Sequence, residues 1–249
     1  MNPLNQVHGL WVDGDLSAFA QLTIASFLRH HGQFTLWTYG FPANVPSGAE
    51  VRDARLVLLE EEVFAYAGGQ AEGSLGGFSD IFRAKLLYLF GGWWVDMDVT
   101  LLRPIPDEFL ELPIVLRDHW TNPVVGNVMK FPAKHPVMDA TYQMTSKAVD
   151  ATNTDWNKPL RILSCATTMA GLVPRYRRRI AHLDEFIDVL PFVRLPVDLP
   201  RHWWAMHWCN EMWRRGDERA KFAPNSHLDR LMKEYGIDSS SLLNLENAK

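Results

Sequence analysis

The sequence predicts an α/β fold built on a parallel sheet, and three observations carry that expectation. The first is a strand–helix–strand opening: apolar runs at Val7–Val12 and Phe34–Tyr39 flank a helical pattern at Leu16–His30. The second is a helix that runs into a strand across Gly91-Gly92, between Ser79 and Leu101. The third is size. A chain of 249 residues with 47% hydrophobic content can bury a sizeable core, and one domain is expected over residues 1–249.

Each element has a local reason. Val7–Val12 stops at Asp13-Gly14, a turn pair. Phe19, Leu22, Thr23 and Phe27 make an apolar stripe on the first helix, and Gly32 supplies its left-handed end. Arg52–Leu59 reads as a third short strand. Glu60–Tyr66 reads as a short helix with acids in its first turn, where the helix dipole favours them. Gly68–Gly77 holds five glycines and reads as a mobile loop; lacking Gly-Lys-Ser/Thr, it is not a phosphate loop. Ser79 can cap a helix running to Phe90, and Trp93–Leu101 reads as one aromatic and β-branched strand. Strands follow at Ile114–Arg117 and Val124–Lys130, around a loop at His119–Pro123. Helices are expected at Pro136–Val149 and Arg161–Leu172, joined by a polar link at Thr152–Pro159. A late strand at Asp188–Val197 and a Ser226-capped helix at Asn225–Tyr235 come next, with a frayed tail from about residue 237 to Lys249.

The chemistry concentrates between Ser79 and Asp98. Asp80 and Arg83 are three apart on a helix and share a face. Trp94, Asp96 and Asp98 alternate along the strand, so all three point the same way. Two carboxylates so placed repel, and a divalent cation removes that cost. Hard oxygen ligands suit Mg2+ or Mn2+, with positions left open for phosphate oxygens.

The run Ser79-Asp80-x-x-Arg83, Gly91-Gly92 and Asp96-Met97-Asp98 resembles the DXD sugar-binding region of glycosyltransferase family 32. That family includes capsular polysaccharide transferases and outer-chain mannosyltransferases, and is more distantly similar to the large glucosylating bacterial toxins. The resemblance implies a GT-A nucleotide-diphospho-sugar transferase fold, a single Rossmann-like domain with a mixed central sheet. It also implies a UDP- or GDP-sugar donor, a glycan or lipid-linked acceptor and retention at the anomeric carbon. It casts Asp80, Arg83, Asp96 and Asp98 as catalytic, and His8, Trp11, Ser79 and Trp94 as donor-side residues beside them. Trp11 matches an aromatic that stacks on the donor base. Late in the chain, His207-Trp208 and Asn210-x-x-Trp213 match a turn after the family's last strand. His207 is thereby a candidate third metal ligand with Asp96 and Asp98. His119, Trp120 and Asn122 in the loop after the 114–117 strand, with Asn127 and Asn210, are candidates for the acceptor side. The glycine-rich loop is then placed to act as a lid. Where the family carries a Gly-Pro turn, this chain has Thr168-Met169-Ala170-Gly171, a departure from the pattern.

Composition excludes several classes. A net charge of −4 argues against nucleic-acid binding, which wants a basic surface. Arg175–Arg179 nevertheless holds four arginines in five residues, either a solvated face or a patch for anionic lipid headgroups or a pyrophosphate-linked acceptor. Cys165 and Cys209 make no disulfide framework, and MNPLNQVHGL lacks the basic start and apolar stretch of a leader. A reduced, cytoplasmic protein is therefore expected, with peripheral contact at the inner membrane face if the acceptor is lipid-linked. Two other readings stand beside the transferase. Val95-Asp96-Met97-Asp98-Val99-Thr100 also resembles the first motif of haloacid dehalogenase phosphohydrolases, although that motif normally opens its domain. A non-catalytic sugar-nucleotide binder would keep the fold without turnover.

Overall fold

The computed structural model describes residues 3–119, 122–180, 186–212 and 223–238, and for residues 186–188 the backbone alone. Trp120, Trp213 and the tail from Ser239 lie outside the described residues.

Among the described residues, seven strands form the central sheet in the order β3-β2-β1-β4-β7-β6-β8. These are β1 (Val7–Trp11), β2 (Thr35–Thr38), β3 (Glu50–Asp53), β4 (Gly92–Val95), β6 (Val115–Arg117), β7 (Val125–Phe131) and β8 (Arg177–Arg178). β1 pairs in parallel with β2 and β4, and β2 with β3, while β7 runs antiparallel to β4 and β6. The sheet is therefore mixed, and the expected α/β class is present.

Strand alternation builds a core on each face. Leu10, Trp37, Trp94, Leu116 and Met129 face one way, against Phe82, Leu86 and Leu87 of α2 (Gly76–Phe90) and Met138 of α4 (Pro136–Ala148). Val7, Leu36, Trp93, Val95, Val115 and Val128 face the other, against Ala20, Ile24 and Phe27 of α1 (Ala18–His31) and Phe109 of α3 (Asp107–Glu111). α1 is capped by Ser17, whose hydroxyl accepts from Ala20 N, and ends at Gly32 with φ 82°. A second ribbon pairs β5 (Val99–Leu101) antiparallel with β9 (Ala205–His207). Ser26 of α1 accepts a hydrogen bond from Leu101 N at 3.0 Å and ties that ribbon to the first helix. α5 (Lys158–Met169), α6 (Val173–Tyr176), α7 (Phe186–Arg194) and α8 (His227–Glu234) complete the described elements.

Four expectations are corrected. The third strand is Glu50–Asp53, followed by a short 3-10 turn, rather than Arg52–Leu59. Helix α2 begins at Gly76, so Ser79 lies inside it and is not its cap. The glycines that hid this start are close-approach positions: a Cβ on Gly76 would collide with Trp156, and one on Gly77 with Tyr66. The stretch read as a late strand is helix α7, burying Val189, Leu190 and Val193 at helical spacing around an internal Pro191. Finally, Trp93–Leu101 is two strands. β4 ends at Val95, a turn closed by Val99 N donating to Asp96 O (3.1 Å) intervenes, and β5 leaves for the second ribbon.

Candidate functional site

The chain runs β1, β2, β3 outward and then returns to place β4 on the other side of β1. In open α/β sheets such a reversal leaves a crevice at the carboxyl ends of the strands. Here that crevice is bordered by Trp11, the last residue of β1, and by Asp96–Asp98, which follow β4. The register pairs His8 with Trp94, so Asp96 lies two residues further along, level with Leu10 and beside Trp11.

Two polar groups meet at this edge. The first is centred on Arg83, which is only 6% exposed. Its Nη1 lies 3.3 Å from Asp80 Oδ1 and its Nη2 lies 3.1 Å from Asp96 Oδ1. Nη2 also donates to Ser79 Oγ at 3.2 Å, and the guanidinium sits 5.2 Å over the Trp94 ring. Trp94 Nε1 donates to Asp96 Oδ1 at 2.8 Å. Burial pushes the Asp80 carboxyl up to about 6; Arg83 pulls it down and Asp96 raises it further. The helix spacing of Asp80 and Arg83 and the shared face of Trp94 and Asp96 thus give one connected network.

Asp98 does not join that network, because the turn carries it away from the strand face. Its Oδ2 accepts from Asn210 N at 2.7 Å and lies 3.5 Å from His207 Nε2. Burial alone would raise this carboxyl, but the His207 charge, its hydrogen bond and the Asn210 N–H hold it below the usual range. The His207 ring is pushed up, burial being outweighed by Cys209 and Asp98. The Asp98 carboxylate, fully charged at neutral pH, is the partner that holds the proton on the imidazole. Asn127 joins the two halves. Its carbonyl accepts from Asp96 N at 2.8 Å, and its amide lies 3.1 Å from His207 Nδ1.

The other candidates divide. Trp11 is half-buried at the crevice and packs against the second core, its Nε1 donating to Gly14 O at 3.1 Å. His8 is 2% exposed and accepts from Trp37 Nε1 at 3.2 Å. Burial and then Arg52 push its ring down to about 3, so it is a neutral core residue rather than a donor contact. Trp94 is 1% exposed and acts beneath the site, holding Arg83 and Asp96 rather than offering a face to a sugar. Asn127 and Asn210, expected on the acceptor side, instead belong to the Asp98–His207 half. His119 follows β6 at the same edge, and burial, Arg117 and His207 all push its ring down.

Three residues here escape sequence reading. Arg117 ends β6 fully buried; burial pushes it down to about 10, against the pull of Cys209, Asp118, Asp96 and Asp98. Cys209 holds φ 56° between the two backbone bonds that fix Asp98, from Trp208 N and Asn210 N. Gly126 of β7 makes room for Arg83, since a Cβ there would stand 2.6 Å from Nη1. A glycine inside a strand is a readable signal of close approach. Because Arg83 is pinned at several atoms, Gly126→Ala is expected to cost about 1–3 kcal/mol of stability, as overpacking does. It is also expected to displace the guanidinium; a melt and a turnover assay on one preparation check both effects.

No protein-family model matches the chain, and no curated protein matches it. Among solved structures it is similar to one described as PaToxG glycosyltransferase, with a TM-score of 0.48 and 12% identity over 67% of this chain and 69% of that one. It is also similar to one described as a transferase mutant, with a TM-score of 0.42 and 11% identity over 70% of this chain and 88% of that one.

Proposed function

We propose that the chain is a metal-dependent glycosyltransferase of GT-A architecture, moving a sugar from a UDP- or GDP-sugar to a glycan or lipid-linked acceptor. The observation that carries this reading is the reversal point of the sheet, where an aromatic plane, a buried arginine and two separate carboxylates meet at one edge. The motif resemblance to glycosyltransferase family 32 supports it independently, and retention rests on that resemblance alone.

The residues present suit a divalent ion. Asp98 Oδ2 and His207 Nε2 are 3.5 Å apart, near the roughly 3 Å that separates adjacent ligands of one octahedral ion. Asn127 Oδ1 is buried at the same place without a partner. Among the described residues no three His, Cys, Asp or Glu side chains are grouped to hold one ion, so water and donor phosphate would have to complete its shell. Asp98 would hold it, with His207 as a further ligand once its proton has left and Asp96 if it turned from Arg83 and Trp94, and Mn2+ fits an imidazole better than Mg2+. When bound, such an ion draws charge off the departing nucleoside diphosphate.

In this reading Arg83, its Nε and Nη2 taken up by Ser79 and Asp96, offers the Nη1 N–H left beside Asp80 to a donor oxygen. Asp80 accepts from a sugar hydroxyl, and Trp11 stacks on the base. A panel of nucleotide sugars with and without Mn2+, scored by release of nucleoside diphosphate, tests the reading. Release of inorganic phosphate would move the chain to the phosphohydrolases, and binding without release would make it a sugar-nucleotide binder. Trp11→Ala is expected to weaken nucleoside diphosphate binding by about 1–3 kcal/mol, the usual worth of base stacking, with much recovered in Trp11→Phe. Calorimetry checks it. Unchanged affinity with a lowered melting temperature would make Trp11 a packing residue.

A further inference from the structure

The arginine cluster at the far edge of the sheet is not used by the site described above. We infer that the surface from Met169 to Arg179 docks on anionic phospholipid.

Charge segregation is the first support. The net charge is −4, yet residues 156–183 contain no Asp or Glu and carry Lys158, Arg161, Arg175, Arg177, Arg178 and Arg179. Arg161 is paired with Asp155. Among the described residues no carboxylate pairs with any of the four arginines from Arg175 to Arg179. Arg175, Arg177 and Arg179 are exposed. Juxtaposed cations of this kind attract an anionic membrane surface.

The second support is apolar surface beside the charge. Met169 ends α5 and is 84% exposed. Leu172 and Val173, which follow into α6 and the arginines, are half-buried and packed on the core, so Met169 is the exposed apolar side chain here. One exposed apolar side chain is ordinary. One at the tip of a helix, a few residues before cations that pair with no carboxylate among the described residues, has the pattern of an interfacial anchor. A nucleic acid would use the arginines and have no use for Met169.

The third support is position. β8 is the outermost strand and pairs in parallel with β6. Two antiparallel pairings through β7 make β6 parallel to β4. The carboxyl end of β8 therefore lies on the same edge of the sheet as Asp96–Asp98, and Asp118 N donates to Arg178 O there at 2.9 Å. A membrane touching this edge would bring a lipid-linked acceptor to the crevice. That last consequence rests on the transferase reading; the docking itself does not.

The test is flotation of the full chain with vesicles of phosphatidylcholine alone and of phosphatidylcholine mixed with phosphatidylglycerol. Binding is expected only to the mixed vesicles, and it should decline as salt is raised. The triple variant Arg175→Gln, Arg177→Gln, Arg179→Gln should bind roughly 100-fold more weakly, given the contribution of each arginine near an anionic surface. Met169→Ser should weaken binding several-fold with the charge unchanged, and melts of both variants confirm folding. Equal binding to both vesicle types, or equal binding by the folded triple variant, would overturn the inference. So would a triple variant that self-associates through β8 while still floating with the vesicles, because the arginines would then be edge guards against strand pairing. Nucleotide release in solution, without vesicles, reports on the transferase reading separately.

Discussion

Asp98→Asn is expected to remove metal-dependent release of nucleoside diphosphate, lowering kcat by more than about 100-fold. Residues that merely support metal ligands are already worth about 10–100-fold, and Asp98 is assigned as the principal ligand. The substitution keeps an oxygen that can accept from Asn210 N and removes only the charge facing His207. The fold is therefore expected to persist, with a stability loss of about 1 kcal/mol, the usual worth of one hydrogen-bonded contact. The acid limb of stability should change as well. A carboxylate held below its unfolded pKa adds stability that is present above about pH 4 and is lost as pH falls through the folded value. In Asp98→Asn that part of the acid-induced loss should vanish. Turnover with Mn2+, a metal titration and melts across acid pH check the three parts. Near-normal turnover in a folded Asp98→Asn protein would remove the metal assignment.

Arg83 is expected to give the largest combined effect on stability and activity. Its guanidinium spans Asp80 and Asp96, and its side chain and theirs are 8%, 18% and 26% exposed. Arg83→Met would leave both carboxylates without their cation. Removing one partner of a buried pair costs about 3–5 kcal/mol, and the partial exposure of Asp96 places the expectation near the lower end. Arg83→Lys keeps a charge but cannot bridge two carboxylates and Ser79 at once. It should fold better than Arg83→Met, and it should lower kcat more than nucleotide affinity, because planar contacts matter most as charge develops on the leaving group. Chemical denaturation and steady-state kinetics separate the effects. Unchanged kcat in a folded Arg83→Lys protein would assign Arg83 to structure alone.

The part of the site that could be read from the sequence is the part built from neighbours in the chain. Asp80 and Arg83 share a helix face, and Trp94 and Asp96 share a strand face, because those periodicities are local. The alternation was misleading one step further. Asp98 fits a period of two, but the bond between Val99 and Asp96 and the pairing of Val99 with His207 turn the chain away. A partner more than a hundred residues downstream leaves no local signature. His8 shows the converse failure. The strand position was right, but the register that puts its ring against Trp37 is a tertiary fact. The sequence starts helix α2 late because Ser79 offers a cap, while the close approach of Trp156 and Tyr66 demands the glycines of its true first turn.

The separation of the acidic pair between two sheets has a consequence for when the protein becomes competent. Arg83 and Asp96 meet within one helix and the strand that follows it. Asp98 meets Asn210 only across a sequence separation of 112. Closing a loop of that span is slow and entropically costly compared with local pairing. A chain emerging during synthesis can therefore assemble the arginine-centred half well before the C-terminal ribbon arrives to fix the second carboxylate. Foldedness of the central sheet and readiness of the site are two separate events in the life of this chain.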